Sequence, residues 1–543
     1  MSFMRKLKRL MHKGGVKLGL IKANSLRAIT DDPRIKVPAE EYDRIRTTKR
    51  YYQDNLPKVE YWTISGQKKR TLNSINMIKQ VSQQMATLMF NEQCSIKVND
   101  QALQSQLDEI LKNNNFYLDA EMNLDPWIAF GAGAVRPYVQ HDQIKLSWAN
   151  ALDVYPLEAN TTNVDQIALS RRIQKAENDT AVYYTLLEFH EWGNYQQDDQ
   201  GNLYRPYTIT NELYRSTDPN IVGDQVPLDS IDEYADLQEQ TVFQHLKKSL
   251  FAFYRNPGAN NKNLVSPLGM GICDNCRATL DDINRVHDGF AWDVKTGYRR
   301  VTVPRSWLRR QSNMNGKPVP EDAQMYWDPE DAVFVPINAR TDDTSAFKDL
   351  AIEIRVDQYQ GAMDFFLKEL ENELHLSEGT FTTTPQGVQT ATEVVTNNSK
   401  TYQTRSSYLT MFEKTIDQLV YAIAELLATP ELWSDGKPRW NGDIDSLVIT
   451  PDFNDGVFVD QEAKRASDLQ AVQAGILPKK QFLIRNYNLS EQEADQWLKQ
   501  VQDELSPTEP DQEMSMFPSE GGGGVSEQGD KSSTDAATSG QTR

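Results

Sequence analysis

Residues 376–387 read LSEGTFTTTPQG, and this stretch with its two flanks decides how the chain is built. Two glycines, a proline and four threonines oppose a continuing helix and offer mostly short hydroxyls. Upstream, Ile352, Val356, Tyr359, Met363, Phe366, Leu370 and Leu374 recur at steps of four and three, the spacing of one helical stripe. Downstream, a second helix is expected from near Ala391. Its apolar face of Tyr402, Leu409, Phe412, Ile416, Leu419, Ile423 and Leu426 belongs to a rod of about 35 residues, about 50 Å long at a rise of about 1.5 Å per residue. Nothing in this unit activates a nucleophile. It holds a polar loop at the tip of two rods.

At 543 residues the chain is long enough for two or more domains, and a hydrophobic content of 39% supports a sizeable core. The mean hydropathy of -0.63 points to much polar surface, as in an extended molecule of several parts. A formal charge of -19 argues against gripping nucleic acid through a basic face, because that grip rests on Lys and Arg neutralising phosphates. It permits nucleic acid to slide past. An acidic wall repels phosphates everywhere and so forms no deep trap, with salt screening the repulsion beyond about 8–10 Å. Solubility alone also accounts for the same charge. Cys94, Cys273 and Cys276 give no disulfide framework; with no signal peptide read, we expect assembly in a reducing cytoplasm. No apolar run approaches the length of about 18 residues that spans a bilayer, so no membrane segment is expected.

The first 22 residues carry Arg5, Lys6, Lys8, Arg9, Lys13, Lys17 and Lys22 with no acidic residue. This basic arm suits membrane or nucleic-acid contact, or a frayed segment packed on an acidic neighbour. A helix is expected over 72–90, with Ile75, Ile78, Val81, Met85, Leu88 and Met89 as its stripe, then a short strand over Ser95–Val98. Residues 101–130 read as one helix ending at Gly131. Strands are expected at 135–139, 144–148, 167–173, 181–190 and 207–214, which makes 1–265 an α+β body with a substantial antiparallel sheet. A helix over 269–292 is expected to turn Ile272, Cys276, Leu280, Ile283 and Phe290 inward and Asp274, Arg277, Asp281, Arg285 and Asp288 outward. A strand-and-loop insert then carries Arg299, Arg300, Arg305, Arg309, Arg310 and Lys317 between two helical rods. After a connector at 430–455 come two short helices, near 460–474 and from Ser490, where Ser490 and Glu493 form a capping box. Residues 506–543, with Gly521–Gly524 in a row, have the composition of a disordered tail.

Catalytic signals are weak. Cys273 and Cys276 form a lone C-x-x-C with no second pair or histidine at ligand spacing, which suits helix packing better than zinc. The six histidines are scattered, with none paired at helical metal spacing. No G-x-x-x-x-G-K-[ST] loop and no G-x-S-x-G elbow is present, so neither nucleotide hydrolysis by that route nor hydrolase chemistry is signalled. No cofactor is expected.

Several stretches together resemble the portal proteins of tailed bacteriophages, in the branch typical of long-tailed phages of Gram-positive hosts. They are LNSINMIKQVSQQMATLMFNE at 72–92, GAGAVRPY at 131–138, FAFYRNPGANNKNLVSPLGMG at 251–271 and LSEGTFTTTPQGVQTATE at 376–393, with the helix that follows. Their order and spacing cover roughly residues 40–500. The resemblance implies an α+β portal fold assembled as a ring, usually of twelve subunits, around a DNA channel. It implies a wing at 41–265 after the basic arm 1–40, stem helices at 266–297 and 341–376, and a small β-rich clip at 298–340. A tunnel loop at 377–390, a long wing helix with its connector at 391–455, and a helical crown at 456–505 complete it, ahead of the tail 506–543. By the same resemblance Thr380, Thr382, Thr383, Thr384 and Gln386 would touch passing double-stranded DNA. The clip cations Arg299, Arg300, Arg305, Arg309, Arg310 and Lys317 would dock partners. Those partners would be the terminase large subunit, which supplies the packaging ATPase, a head–tail adaptor, and the major capsid and scaffolding proteins. The expected role is then a non-enzymatic portal at the capsid vertex of the virion, through which DNA is packaged, retained and ejected. The alternatives are another structural minor head protein and, further off, a metal-dependent hydrolase.

Overall fold

The computed structural model describes residues 25–63, 66–90, 94–160, 163–177, 179–198, 201–296, 301–304, 334–337, 353–382, 399–453, 461–487, 489 and 491–505. The chain divides into two units, Met1–Asp460 and Gln461–Arg543. With elements numbered along the chain, the first unit opens with four helices: α1 (Ala39–Tyr52), α2 (Met77–Met89), α3 (Gln101–Asn113) and α4 (Phe116–Phe130). The continuous helix expected over 101–130 is broken at Asn114 and Asn115. Asn115 takes φ 48°, a left-handed conformation that asparagine tolerates. Asn114 donates to the Ile110 and Ile144 carbonyls at 2.8 and 2.9 Å, so the break is tied to a strand. Helix α2 starts at Met77, later than its stripe suggests, because the Asn76 side chain accepts from Lys79 N at 3.3 Å and sets the cap there. Helix α1 escaped the apolar pattern, since its buried residues, Glu41, Tyr42, Ile45 and Thr48, are half polar.

The strands are β1 (Ser25–Leu26), β2 (Val59–Thr63), β3 (Gly66–Arg70), β4 (Ser95–Val98), β5 (Ala132–Gln140), β6 (Gln143–Asn150), β7 (Val154–Asn160), β8 (Asn163–Glu177) and β9 (Thr180–Trp192). They continue as β10 (Gln196–Gln197), β11 (Leu203–Tyr204), β12 (Tyr207–Ser216), β13 (Gly223–Val226), β14 (Gln240–Phe243) and β15 (Ala252–Arg255). The main sheet runs β1-β13-β12-β9-β8-β7 with β14 on β12, all antiparallel. Alternation along β9 feeds two cores. Leu187 and Phe189 join the main one, whereas Val182, Tyr184 and Leu186 pack with Leu228, Ile231 and Tyr234. A second sheet, β15-β5-β6, carries the long helix α7 (Ser399–Ala428). Phe412, Ile416, Leu419, Ile423 and Leu426 are buried as their stripe requires, but Tyr402 is 47% exposed and leaves the expected face.

The stem segment departs from expectation at its start. Helix α5 runs Arg277–Thr296, eight residues later than expected from Gly269. Residues 269–276 instead turn tightly over α4. The backbones of Gly131 and Gly269 meet so closely that a Cβ on either would lie 2.4 Å from the other's carbonyl oxygen. Asn256 locks this crossing by donating to the Ile128 and Met270 carbonyls, both at 2.8 Å. Asp274, expected outward, is 5% exposed. It accepts from Arg44, Thr48, Arg277 and the Gly271 backbone N–H, binding α1 to the stem root. Asp288 is likewise buried, held by both guanidinium nitrogens of Arg70 at 2.5 and 2.6 Å. The remaining elements of this unit are β16 (Val301–Pro304), β17 (Phe334–Ile337), α6 (Val356–Glu373) and β18 (Ile449–Asp452), which pairs with β4. β16 and β17 pair in parallel, which requires a long crossover such as the insert supplies.

Among the described residues of the second unit there are three helices where two were expected: α8 (Gln461–Gln473), α9 (Lys479–Tyr487) and α10 (Glu491–Leu505). Gly475 at φ 73° terminates the first turn region. Lys480 pairs with Asp495 at 2.9 Å, and Tyr487 meets Trp497 with ring centroids 6.0 Å apart. Ser490 of the expected capping box, the basic arm as far as residue 24, and the tail lie outside the described residues.

A buried polar chain fixes the two sheets together. Tyr207 donates to His190 Nδ1 at 2.8 Å and accepts from Leu250 N, while His190 Nε2 donates to Glu188 at 2.6 Å and Arg136 pairs with the same carboxylate at 2.9 Å. Burial opposes ionisation of Glu188, yet Arg136 and His190 outweigh it and hold the carboxyl at about 2. The resulting stability is fully present above the ordinary value of 4.5 and is lost as pH falls toward about 2. Acid titration followed by tryptophan fluorescence should therefore show a limb in that window, flattened in Glu188→Gln. At the turn before α5, Asp274→Ala should cost at least about 1.5–3 kcal/mol in chemical denaturation, since it removes the charged acceptor shared by Arg44, Thr48 and Arg277 and leaves Arg44 to Glu41.

Candidate functional site

The threonine loop departs from the end of α6, and the backbone there follows from how a helix must finish. Leu376 N donates to the Glu371 carbonyl at 2.8 Å and His375 N to the Asn372 carbonyl at 3.1 Å, with His375 at φ 53°. That is a Schellman closure with histidine in the position glycine usually takes. It turns the chain back across α6 and brings the loop amides to Glu371.

Glu371 is fully buried. Its carboxylate accepts from Phe381 N at 2.6 Å, Thr382 N at 3.2 Å and Gly379 N at 3.3 Å, so three loop amides satisfy a group that would otherwise be stranded out of water. Gly379, at φ 92°, supplies the left-handed bend this wrap needs. The loop root is also stitched to α7. Ser377 N donates to Thr401 Oγ1 at 2.9 Å, Thr401 N to Ser377 Oγ at 3.3 Å, and Thr404 Oγ1 to the His375 carbonyl at 2.7 Å. Both rods are thereby held to one point.

Of the loop residues singled out by sequence, Thr380 is half-buried, its hydroxyl donating to the Ser377 carbonyl at 2.7 Å. Thr382 is 9% exposed and packs over Glu371. Thr383, Thr384 and Gln386 lie outside the described residues, as do Arg299, Arg300, Arg305, Arg309, Arg310 and Lys317. The structure therefore brings Thr380 and Thr382 together on the seat of the loop. Sequence reading missed Glu371, Ser377, Thr401 and Thr404. A carboxylate beside a stripe residue carries no mark of its burial, and two hydroxyl residues 24 apart carry no spacing signal.

Helices α5 and α6 meet along their length. Phe290 and Tyr359 lie with centroids 5.5 Å apart, Arg355 pairs with Asp293 at 2.8 Å, and Thr279 donates to Glu373 at 2.9 Å. Gly289 opens room for the Tyr359 ring, 3.3 Å from where a Cβ would stand. The outward face of α6 carries Asp357, Asp364, Glu369 and Lys368, a mainly acidic stripe in water. Cys273 and Cys276 lie buried before α5, not within it. Burial, reinforced by Glu373, pushes the Cys276 thiol up to about 12, so at neutral pH it is an inert packing group. Among the described residues, no group of three or more His, Cys, Asp or Glu is placed to hold a metal ion, and no helix is long and apolar enough to cross a membrane.

A family model described as phage portal protein, SPP1 Gp6-like, matches residues 32–506. A solved chain from the virion of a native gene transfer agent (GTA) particle is similar over 81% of this chain and 98% of its own, at 8% identity and a TM-score of 0.33. No curated protein matches.

Replacing Glu371 with alanine removes the acceptor of three amides, each charge-assisted bond being worth about 1.5–3 kcal/mol. The expected result is faster limited proteolysis within 377–390 while the remaining cleavage sites keep their wild-type rates; uniform acceleration everywhere would mean that Glu371 supports the whole fold instead.

Proposed function

The chain belongs to the SPP1 Gp6-like phage portal protein family, and from that premise we propose that the Glu371-seated segment 377–390 is the tunnel loop of a DNA channel. The family forms the passage for DNA at a capsid vertex and is structural, not enzymatic; the chain is accordingly a virion component concerned with DNA packaging. The finer reading is a ring, most simply of twelve copies, with double-stranded DNA running through it. The observation that carries the loop assignment is the anchoring of residues 377–382 to Glu371 and Thr401, which fixes where the loop leaves two rigid helices.

This seat divides the loop into two roles. Ser377 to Thr382 form the anchor, in which Thr382 spends its amide on Glu371 and Thr380 its hydroxyl on Ser377. To the residues beyond it, Thr383, Thr384 and Gln386, falls the contact with the duplex through hydroxyl and amide groups, weak enough to break and reform as DNA moves. Thr380 stands at the boundary. Acidic stem residues such as Asp357, Asp364 and Glu369 repel phosphates and keep the passage from becoming a trap.

In the clip, Arg299, Arg300, Arg305, Arg309, Arg310 and Lys317 dock the terminase large subunit during packaging and a head–tail adaptor afterwards, because guanidinium matches carboxylates in a bidentate fork. Packaging energy comes from the terminase ATPase. The wing meets the major capsid and scaffolding proteins at the portal vertex, after assembly in the host cytoplasm.

Deleting 383–390 and joining the ends with a short glycine linker should leave ring assembly intact by electron microscopy and reduce packaged or retained DNA at least tenfold. Normal DNA content in particles built from that variant would remove the loop from the mechanism. Charge reversal of Arg305, Arg309 and Arg310 to glutamate should abolish terminase binding in pull-downs while ring formation is unchanged; undiminished binding would move the docking surface elsewhere.

A further inference from the structure

A cavity of about 200 Å³ opens where the segment after β1, helix α1 and the face of β8 converge. Three arginines from three separate elements line it: Arg27, Arg46 and Arg172. Such convergence is uncommon in a chain of formal charge -19. Arg172 is oriented by donating from Nη1 to the Pro219 carbonyl at 2.6 Å and from Nη2 to the Ile221 and Asp218 carbonyls at 3.3 and 3.4 Å, and by lying over the Tyr183 ring, 4.8 Å from its centroid, so it faces a ligand chiefly as a fixed charge. Arg46 spends one nitrogen on Asp43 at 2.7 Å and keeps its other donors. Arg27 has no side-chain partner among the described residues.

The wall of the cavity adds a second observation. Thr185, directly opposite Arg172 across the β8–β9 pair, is 2% exposed, yet its hydroxyl has no hydrogen-bond partner among the described residues. A buried hydroxyl without a partner costs about 1–3 kcal/mol, so it stands where something is expected to complete it. Ser170, two residues before Arg172 on the same face of β8, also lines the space and donates to Asp153 at 3.3 Å. Asp153 is the one carboxylate among these groups. Burial pushes its carboxyl up, which lessens the negative charge it sets against the arginines.

We propose that this cavity is a binding site for a small oxyanion of the phosphate or sulfate class, held by Arg27, Arg46 and Arg172 and by the Thr185 hydroxyl. Guanidinium groups present planar donors that match such oxygens, and the hydroxyl supplies the donor on the buried side. The ligand bridges three elements that are otherwise weakly joined, since β1 is only two residues long. Occupancy pins the N-terminal edge of the sheet to α1 and β8, and it stabilises the folded chain in proportion to ligand concentration. The site is independent of the channel reading and touches none of the loop residues.

The test is isothermal titration of the full-length protein with sodium phosphate at constant ionic strength, paired with thermal unfolding in the same buffers. The expected result is saturable binding of one phosphate per chain at millimolar concentration or below, competed by sulfate and not by chloride. Arg27→Gln with Arg46→Gln, two changes at the rim, should weaken it about tenfold or more. Thr185→Val separates ligation from structure. It should raise the unfolding midpoint without phosphate, because the stranded hydroxyl is gone, and weaken phosphate binding at the same time. Absence of saturable binding, equal binding by the double arginine variant, or a Thr185→Val protein that binds as tightly as wild type would each overturn the proposal.

Discussion

A carboxylate taken out of water must have its oxygens filled by donors, and this protein repeatedly meets that requirement by giving the donors from loop backbone. Asp274 accepts from Gly271 N at 2.8 Å, Glu371 from three amides of 379–382, and Glu425 from Lys247 N and Lys248 N, both at 2.7 Å. Each case costs desolvation and returns it as fixed geometry for a loop that has no secondary structure of its own. For Glu425 burial still dominates, pushing its carboxyl up to about 6. The acidic composition of the chain is thus partly architectural, with some of the charge acting as internal clamps and the rest facing water.

Two of these clamps sit at neighbouring ends of α5 and α6. Asp274 gathers Arg44, Thr48 and Arg277 just before α5, and Glu371 gathers the threonine loop in the last turn of α6. Glu373, two residues on from Glu371, accepts from Thr279 on α5 and so joins the two ends. A load on the loop is passed to α6 and, through Thr401 and Thr404, to α7, whose apolar face is embedded in the core beneath β15 and β5. The base of the loop is thereby tied to two helices at once.

The sequence disclosed the helix, loop and helix unit because its apolar stripes and its Gly, Pro and Thr cluster are local signals. In the main sheet β8, β9 and β12 were legible to within a few residues, whereas β1, β13 and β14, only two to four residues long, and β7, which carries Pro156 and a register shift, were not. Helix α1 was not, because a stripe of Glu41, Tyr42, Ile45 and Thr48 has no apolar period. The early start assigned to the first stem helix failed for a different reason. Gly269 and Gly271 are small so that one backbone can cross another, a demand made by α4 more than a hundred residues earlier. Burial of Asp274 and Asp288 is likewise set by partners distant in sequence, Arg44 and Arg70 among them, and periodicity places such residues on the solvent side by default.

The central claim is that the Glu371-seated loop of each copy points into a central opening. Electron cryo-microscopy of the assembled protein tests it directly. The account predicts a closed ring in which Glu371 lies behind the channel wall and the chain beyond Thr382 forms the narrowest rim. A ring with that segment on its outer perimeter, or a protein that stays monomeric under assembly conditions, would contradict it.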